Sequence, residues 1–287
     1  MSVDTLTNDP GRGASPAEAA AAPHVSGDAP GLDHAAVPAT SLLRPHGRKR
    51  LRFSQLYAWH LKPFVWRLFH PGGTPEEYYA RSIAGRVSRG DHPAIGAQAR
   101  SVRAPTELLD ILLTHGLQPG HVVVDYGCGS FRLGKALIEH LEPGRYWGLD
   151  VIDEFLESGM ALLEPELKAA KRPNARVISP ESLAETAAAR PDFIISWHVC
   201  SKVPPSRLAD YFGKIVALMG PVSLALVHFP ESERRLRQSR FSWSENRAAI
   251  AGALRQVDPG LDVRFVPITE QVVRGVRQTM VEIRRKG

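Results

Sequence analysis

Two short stretches of this 287-residue chain carry residue types and spacings suited to holding a nucleotide. In the first, Val122, Val123 and Val124 lead into Asp125, Tyr126, Gly127, Cys128 and Gly129, a β-branched run that ends in a carboxylate and turns through two glycines toward a helical stretch. Glycines there let backbone approach a ligand where a Cβ would collide, and the N–H groups of a helix starting near 131 would aim into the same crevice. The second stretch runs from Tyr146 to Asp150 and ends another strand in an acid 23 residues after Gly127. At that separation a carboxylate can accept hydrogen bonds from both hydroxyls of a ribose. Alone, Asp150 could merely cap the next helix; paired with the glycine turn, it reads as a ribose ligand.

The same residues narrow the choice of nucleotide. A dinucleotide fingerprint starting at Gly127 would need glycine where Arg132 stands, and no GxxxxGK[ST] phosphate loop occurs anywhere. Asp125 would repel a pyrophosphate but suits a ligand that carries an ammonium group and a sulfonium. On these residues the chain resembles the class I S-adenosylmethionine-dependent methyltransferases, whose first motif reads roughly [DE]-x-G-x-G-x-G and whose second ends in an acid. The resemblance runs from about Thr106 to the C-terminus. It implies S-adenosylmethionine as cofactor, held by Asp125, Tyr126, Gly127, Cys128, Gly129, Arg132, Asp150 and Val151. Phe131 departs from it by standing at the third glycine position, which narrows the site around the methionine moiety or degrades the pocket. Relatives place an Asp after the third strand for adenine, so Glu181 or Ser182 is the substitute expected here.

Methyl transfer from a sulfonium is an in-line displacement that needs a held nucleophile and, for a hydroxyl or amine, a base for its proton. Related small-molecule methyltransferases end the fourth strand in S-x-x-V-L-H-H. This chain matches Ser196, counted among the cofactor contacts, and Val199, but puts Ser201 and Lys202 at the histidine pair. His198 is displaced toward the strand end, and His228 ends the next strand; both are base candidates, since imidazole titrates near ~6.5. Trp197 could stack on adenine or on substrate. Arg132, with Tyr78, Tyr79 or Arg81, could hold the methionine carboxylate.

The elements that would position these groups follow from periodicity. Strands are expected at 121–126, 145–150, 174–179, 192–197, 222–228, 262–267 and 277–284, with helices near 106–115, 131–141, 153–170, 181–189, 206–218 and 243–256, the last opened by a Ser242…Glu245 capping box. Five βα units predict an α/β, doubly wound, mostly parallel sheet with ligands beyond the carboxyl ends of its strands. Only Ile268 to Val276 separate the last two strands, too few for a crossover helix, so these pair antiparallel. The resemblance implies the same Rossmann-like sheet of seven strands, with the last one reversed.

Residues 1–43 are rich in Ala, Pro, Gly and Ser and read as a disordered tail. Residues 44–104 form a basic, aromatic-rich helical lid segment, with a helix starting at Thr74 as N-cap, and 105–287 form the cofactor-binding domain. The charge is uneven: twelve bases against three acids in 44–103, but eleven against fifteen in 104–230. Hydrophobic residues make up 43% of the chain, enough for a sizeable core. Two cysteines without metal-ligand spacing suggest neither a disulfide framework nor a metal site, and a cytoplasmic location. The Trp-rich stretch 44–70 reads as a lid packed on the catalytic body, or as a peripheral contact with an anionic membrane.

The leading reading is methyl transfer to oxygen or nitrogen of a small-molecule, glycan or lipid-like acceptor. A nucleic-acid methyltransferase is second, supported by the basic segment and opposed by the lack of a [DNS]-P-P-[YFW] run after the fourth strand. A non-catalytic scaffold of the same fold is third, motivated by Phe131. Nothing in the chain predicts its oligomeric state.

Overall fold

The computed structural model describes residues 62–73, 75–87, 106–239, 241–269 and 271–286. The expected tail 1–43, most of the basic lid segment, and the Thr74 cap lie outside the described residues. Within them, two helices, α1 (Lys62–Phe69) and α2 (Pro75–Val87), precede α3 (Glu107–Thr114) and an alternation of strands and helices.

That alternation runs β1 (Val123–Tyr126), α4 (Gly134–His140), β2 (Tyr146–Asp150), α5 (Asp153–Leu162), α6 (Pro165–Lys171), β3 (Asn174–Val177), α7 (Pro180–Ala188), β4 (Phe193–Ser196), α8 (Leu208–Ala217) and β5 (Leu224–Glu231). A hairpin, β6 (Leu236–Ser239) and β7 (Ser242–Ser244), leads to α9 (Arg247–Val257), β8 (Leu261–Pro267) and β9 (Arg277–Arg285). The seven-stranded sheet has the order β3-β2-β1-β4-β5-β9-β8. Strands β1 to β5 pair parallel, and β9 runs antiparallel to both its neighbours, as the short 268–276 connection predicts. The order reverses between β1 and β4, so the crevice where a ligand belongs opens beyond the carboxyl ends of those two strands.

Adjacent residues in the central strands serve opposite faces. Val123, Ile195 and Leu226 join a core built from α3, α4 and α5, with Leu112, Leu137 and Leu156. Val124, Ile194 and Val227 join another with Phe212, Ile215, Ile250 and Leu254 from α8 and α9. All are 4% exposed or less, the burial on both faces that a parallel sheet under two helical layers requires.

Three expected elements differ. The helix expected over 153–170 is two, because Pro165 cannot continue α5 but suits the first turn of α6. The Ser242…Glu245 capping box does not form: Ser242–Ser244 is the strand β7, and Asn246 caps α9 by accepting from the Ala249 N–H at 2.8 Å. The helix expected from 131 begins at Gly134, for a reason that lies in the glycine turn.

Candidate active site

The glycine turn closes β1 onto β2. The N–H groups of Gly127 and Cys128 both donate to the Leu149 carbonyl, at 2.7 and 3.1 Å. Gly127 has φ +83, and a Cβ there would collide with the Val199 side chain. Gly129 has φ +57, yet a Cβ on it would meet nothing within 4 Å. Its left-handed backbone therefore borders open space at the carboxyl edge of the sheet, the cradle that an approaching ligand needs.

Asp150 ties this turn to the next element. Its Oδ2 accepts from the Gly129 N–H at 2.8 Å, and its Oδ1 from the Ile152 N–H at 3.0 Å. Burial raises its pKa to about 6, against these donors and the Val151 N–H, which favour the charged form. A carboxylate has lone pairs for further acceptance beyond two N–H groups. Val151, the next residue, is exposed beside it. Asp125 is more deeply placed: buried behind the turn, it accepts from the Tyr146 hydroxyl at 2.9 Å, and burial pushes its pKa to about 7.

Phe131 accounts for the late start of α4. It adopts φ +57, which breaks helical continuity, and its carbonyl accepts from the Lys135 N–H at 2.8 Å. The phenyl ring is 1% exposed and meets Tyr146 edge-on at 5.9 Å. Added Cβ atoms on Gly148 and Gly159 would lie 2.6 and 2.7 Å from the ring. Two glycines further along the chain thus make the space that the phenyl occupies. The ring lies in the core against β2 and α5, away from the open side of Gly129, and the expected narrowing around the methionine moiety is corrected accordingly. The α4 N–H groups begin three residues beyond the turn rather than at it.

Several expected cofactor contacts have structural work instead. The Ser196 hydroxyl is fully buried, donating to the Tyr126 carbonyl at 2.8 Å and accepting from Tyr211 at 2.7 Å, which stitches β4 to β1. Tyr126 packs edge-on to Tyr211 in the core. Ser182 completes a capping box with Ser179 at the start of α7 and donates to the Val177 carbonyl at 2.7 Å. Of the adenine candidates, the exposed Glu181 remains accessible, in the first turn of α7. Cys128 is buried, and its thiol pKa is pushed up by burial.

Beyond the end of β4, His198 meets His228, which lies within β5 rather than, as expected, at its end, because pairing with β9 continues to Glu231; the ring centroids are 4.4 Å apart. His198 is exposed and has φ +60, a left-handed backbone that a non-glycine residue holds only where its surroundings enforce it. The enforcing partner is His228, whose Nδ1 accepts from the His198 N–H at 3.3 Å. His228 Nε2 lies 2.7 Å from the Gln278 amide oxygen, so one neutral tautomer satisfies both contacts. His228 is 1% exposed with both ring nitrogens engaged, so neither is open to a proton from an acceptor. Burial, then the neighbouring His198, lower its pKa to about 3. Although His198 reaches solvent as a residue, its ring is largely surrounded by protein, and this desolvation, then the charges of Lys202 and Arg132, lower its pKa to about 4. Trp197 lies against His228 at 4.6 Å.

The lid residues divide. Tyr79 of α2 stands near Asp150: burial, then that carboxylate, raise its pKa to about 12. Tyr78 is buried against Trp66, and the exposed Arg81 has its Nη1 3.3 Å from His70 Nε2. Arg132 is exposed. Phe241, after the unforeseen hairpin strand β6, meets Tyr79 edge-on at 5.3 Å, so hairpin and lid join over this end of the site. Gln278 was equally absent from the sequence reading, because only the β5–β9 register brings it to a histidine 50 residues away.

No protein-family model matches the sequence, and no curated protein is similar to it. Solved structures are. A magnesium protoporphyrin IX methyltransferase from Synechocystis PCC 6803 with bound SAM is 14% identical, with 85% of this chain and 100% of that one covered and a TM-score of 0.47. A structure from work on conversion of a disulfide bond into a thioacetal group during echinomycin biosynthesis is 17% identical, with 71% and 92% covered and a TM-score of 0.50. A glycopeptide N-methyltransferase is 10% identical, with 65% and 92% covered and a TM-score of 0.48. The chain has a Rossmann-like fold, a seven-stranded, mostly parallel sheet with one reversed strand. Among the described residues, no helix is long and apolar enough to cross a membrane.

Proposed function

We propose that this chain is an S-adenosylmethionine-dependent methyltransferase acting on an oxygen of a small-molecule acceptor. The observation that carries the reading is the open, left-handed Gly129 with its N–H held by the strand-end carboxylate of Asp150. The donor set fits the cofactor. Asp150 would take the ribose hydroxyls and lend its negative field to the ammonium group, Val151 and Glu181 would take the adenine, and Arg132 the methionine carboxylate. Bound there, S-adenosylmethionine supplies an electrophilic methyl group.

His198 is the acceptor-side residue. Its imidazole is neutral at physiological pH and exposed at the crevice mouth. A neutral imidazole of low basicity still takes the proton of a hydroxyl being alkylated, because that proton becomes far more acidic as the new oxygen–carbon bond forms. It is a poor sink for the proton of an alkylated amine. Arg132 and Lys202, whose charges act on His198, would also repel a cationic amine and favour an oxygen nucleophile. Oxygen, of the two acceptor atoms considered from the sequence, is therefore preferred.

Incubating a metabolite extract with the protein and methyl-labelled S-adenosylmethionine, followed by mass spectrometry, tests this reading. It predicts label in an O-methyl product with the wild type and at least a hundredfold less with His198→Gln, by the usual scale of general-base loss. No labelled small molecule from any extract would count against it.

A further inference from the structure

A cleft of about 920 Å³ opens where β5 ends, between the first turn of α9 and the turn that leads into β9. Glu231, the last residue of β5, contributes no free charge to it. Arg247 Nε and Nη2 donate to its two oxygens at 2.7 and 3.0 Å, and the Thr279 hydroxyl donates at 2.6 Å. Arg277 stands opposite Glu231 in the β5–β9 register and adds its field to that carboxylate without a hydrogen bond. Its Nε is shut off from solvent and has no hydrogen-bond partner among the described residues. Arg277 nonetheless lines the cleft, and its side chain makes no ion pair within 4 Å among the described residues.

The rest of the lining sharpens the ligand's chemistry. Arg234 faces the cleft with no ion pair to its side chain among the described residues, and Glu233 is the one acid there without a partner. Three arginines thus face two glutamates, one of them already neutralised. Leu236 and Val272, 44% and 51% exposed, give the same cleft an apolar wall. A volume of this size suits a metabolite-sized ligand. Glu231 follows His228 by three residues along β5, about 10 Å at ~3.3 Å per residue, and strand alternation sends its side chain to the opposite face, so the cleft and the histidine pair flank the end of β5.

We propose that this cleft binds the acidic group of an amphiphilic organic anion, a carboxylate or phosphate monoester on an apolar body, and that this anion is the methyl acceptor. The second half rests on the methyltransferase reading; the first does not. Arg277 and Arg234 supply the charge, and Leu236 with Val272 the surface for the apolar body, while another part of the ligand reaches over the end of β5 to His198.

Calorimetric titration of the full chain with octyl phosphate and with octanoate, and with octanol as the uncharged control, tests the cleft. At least one anion binds saturably, octanol about tenfold more weakly or not at all, and Arg277→Gln loses about tenfold or more of the anion's affinity. Arg234→Gln, on an exposed loop, loses affinity in the same direction and stands in if the first variant fails to fold. No saturable anion binding, equal binding of octanol, or unchanged affinity in a folded Arg277→Gln protein overturns the proposal. For the acceptor, an extract is divided on an anion exchanger. Methyl-accepting activity appears in the acidic fraction, and Arg277→Gln raises KM about tenfold with kcat little changed; activity confined to the neutral fraction overturns that half. Titration with S-adenosylhomocysteine is run alongside: if it fails to bind while the anion binds, the methyltransferase reading falls and the anion cleft stands.

Discussion

Asp125→Asn should stabilise this protein more at pH 8 than at pH 5. Asp125 is 3% exposed and has one side-chain partner, the Tyr146 hydroxyl at 2.9 Å, a donor that asparagine's amide oxygen can also accept. Burial and the nearby Asp150 hold its pKa at about 7, whereas an unfolded aspartate titrates near ~3.9. The folded state thus keeps a proton that the unfolded state releases, so stability is lost as pH rises from about 4 to about 7 and stays lost above it. This is the reverse of a salt-bridged carboxylate. Three pH units at about 1.4 kcal/mol each make about 4 kcal/mol above pH 7, of which about 2 to 3 kcal/mol accrues between pH 5 and pH 8. Asparagine carries no such term, and its fixed packing cost is the same at both pH values. Urea unfolding of both proteins at pH 5 and pH 8 should therefore show the variant gaining about 2 to 3 kcal/mol relative to wild type over that interval. An equal difference at the two pH values would refute the reasoning, since it would mean that the carboxyl is ionised in the folded protein throughout.

Asp150→Ala removes a charged acceptor from the ribose position and should weaken S-adenosylhomocysteine binding by about 1 to 3 kcal/mol in calorimetry. Phe131→Ala empties the space between Gly148 and Gly159 and should cost about 3 to 5 kcal/mol in urea unfolding, the range for a buried phenylalanine. Gly129→Ala meets no side chain and should cost about 1 kcal/mol for its left-handed backbone, whereas Gly127→Ala also drives a methyl into Val199 and should cost more, compared in the same unfolding assay. With His198 as the base, kcat should stay level from pH 8 down to about pH 5, because the imidazole remains neutral until its pKa of about 4; a fall centred near 6.5 would assign the proton elsewhere.

What could be read from the chain were features carried by near neighbours in sequence. The valines before Asp125, the glycine turn and the short 268–276 connection yield β1 with its turn and the reversed β9, and the acid at 150 falls at the end of β2 as the sequence implies. Pairings between distant segments were not legible. Phe131 looks like a defect beside Gly127 and Gly129, and only the packed fold shows Gly148 and Gly159 giving it room. Ser182 and Ser196 looked like free hydroxyls because nothing local reveals Val177 and Tyr211 as their partners. The His198–His228–Gln278 chain joins the end of β4 to β5 and β9 and depends on register, which is set by which face is buried rather than by any local spacing. Only the end of β7 falls inside the helix expected over 243–256, because Ser242 and Glu245 have capping-box spacing, while Asn246, the residue that caps α9, lies one place beyond it.

A crystal structure of the complex with S-adenosylhomocysteine tests the central claim most directly. The account predicts adenosine above Gly129, both ribose hydroxyls within hydrogen-bonding distance of the Asp150 carboxylate, and the Phe131 ring still seated against Gly148 and Gly159. A ligand bound elsewhere, or a phenyl ring swung into the space over Gly129, would contradict it.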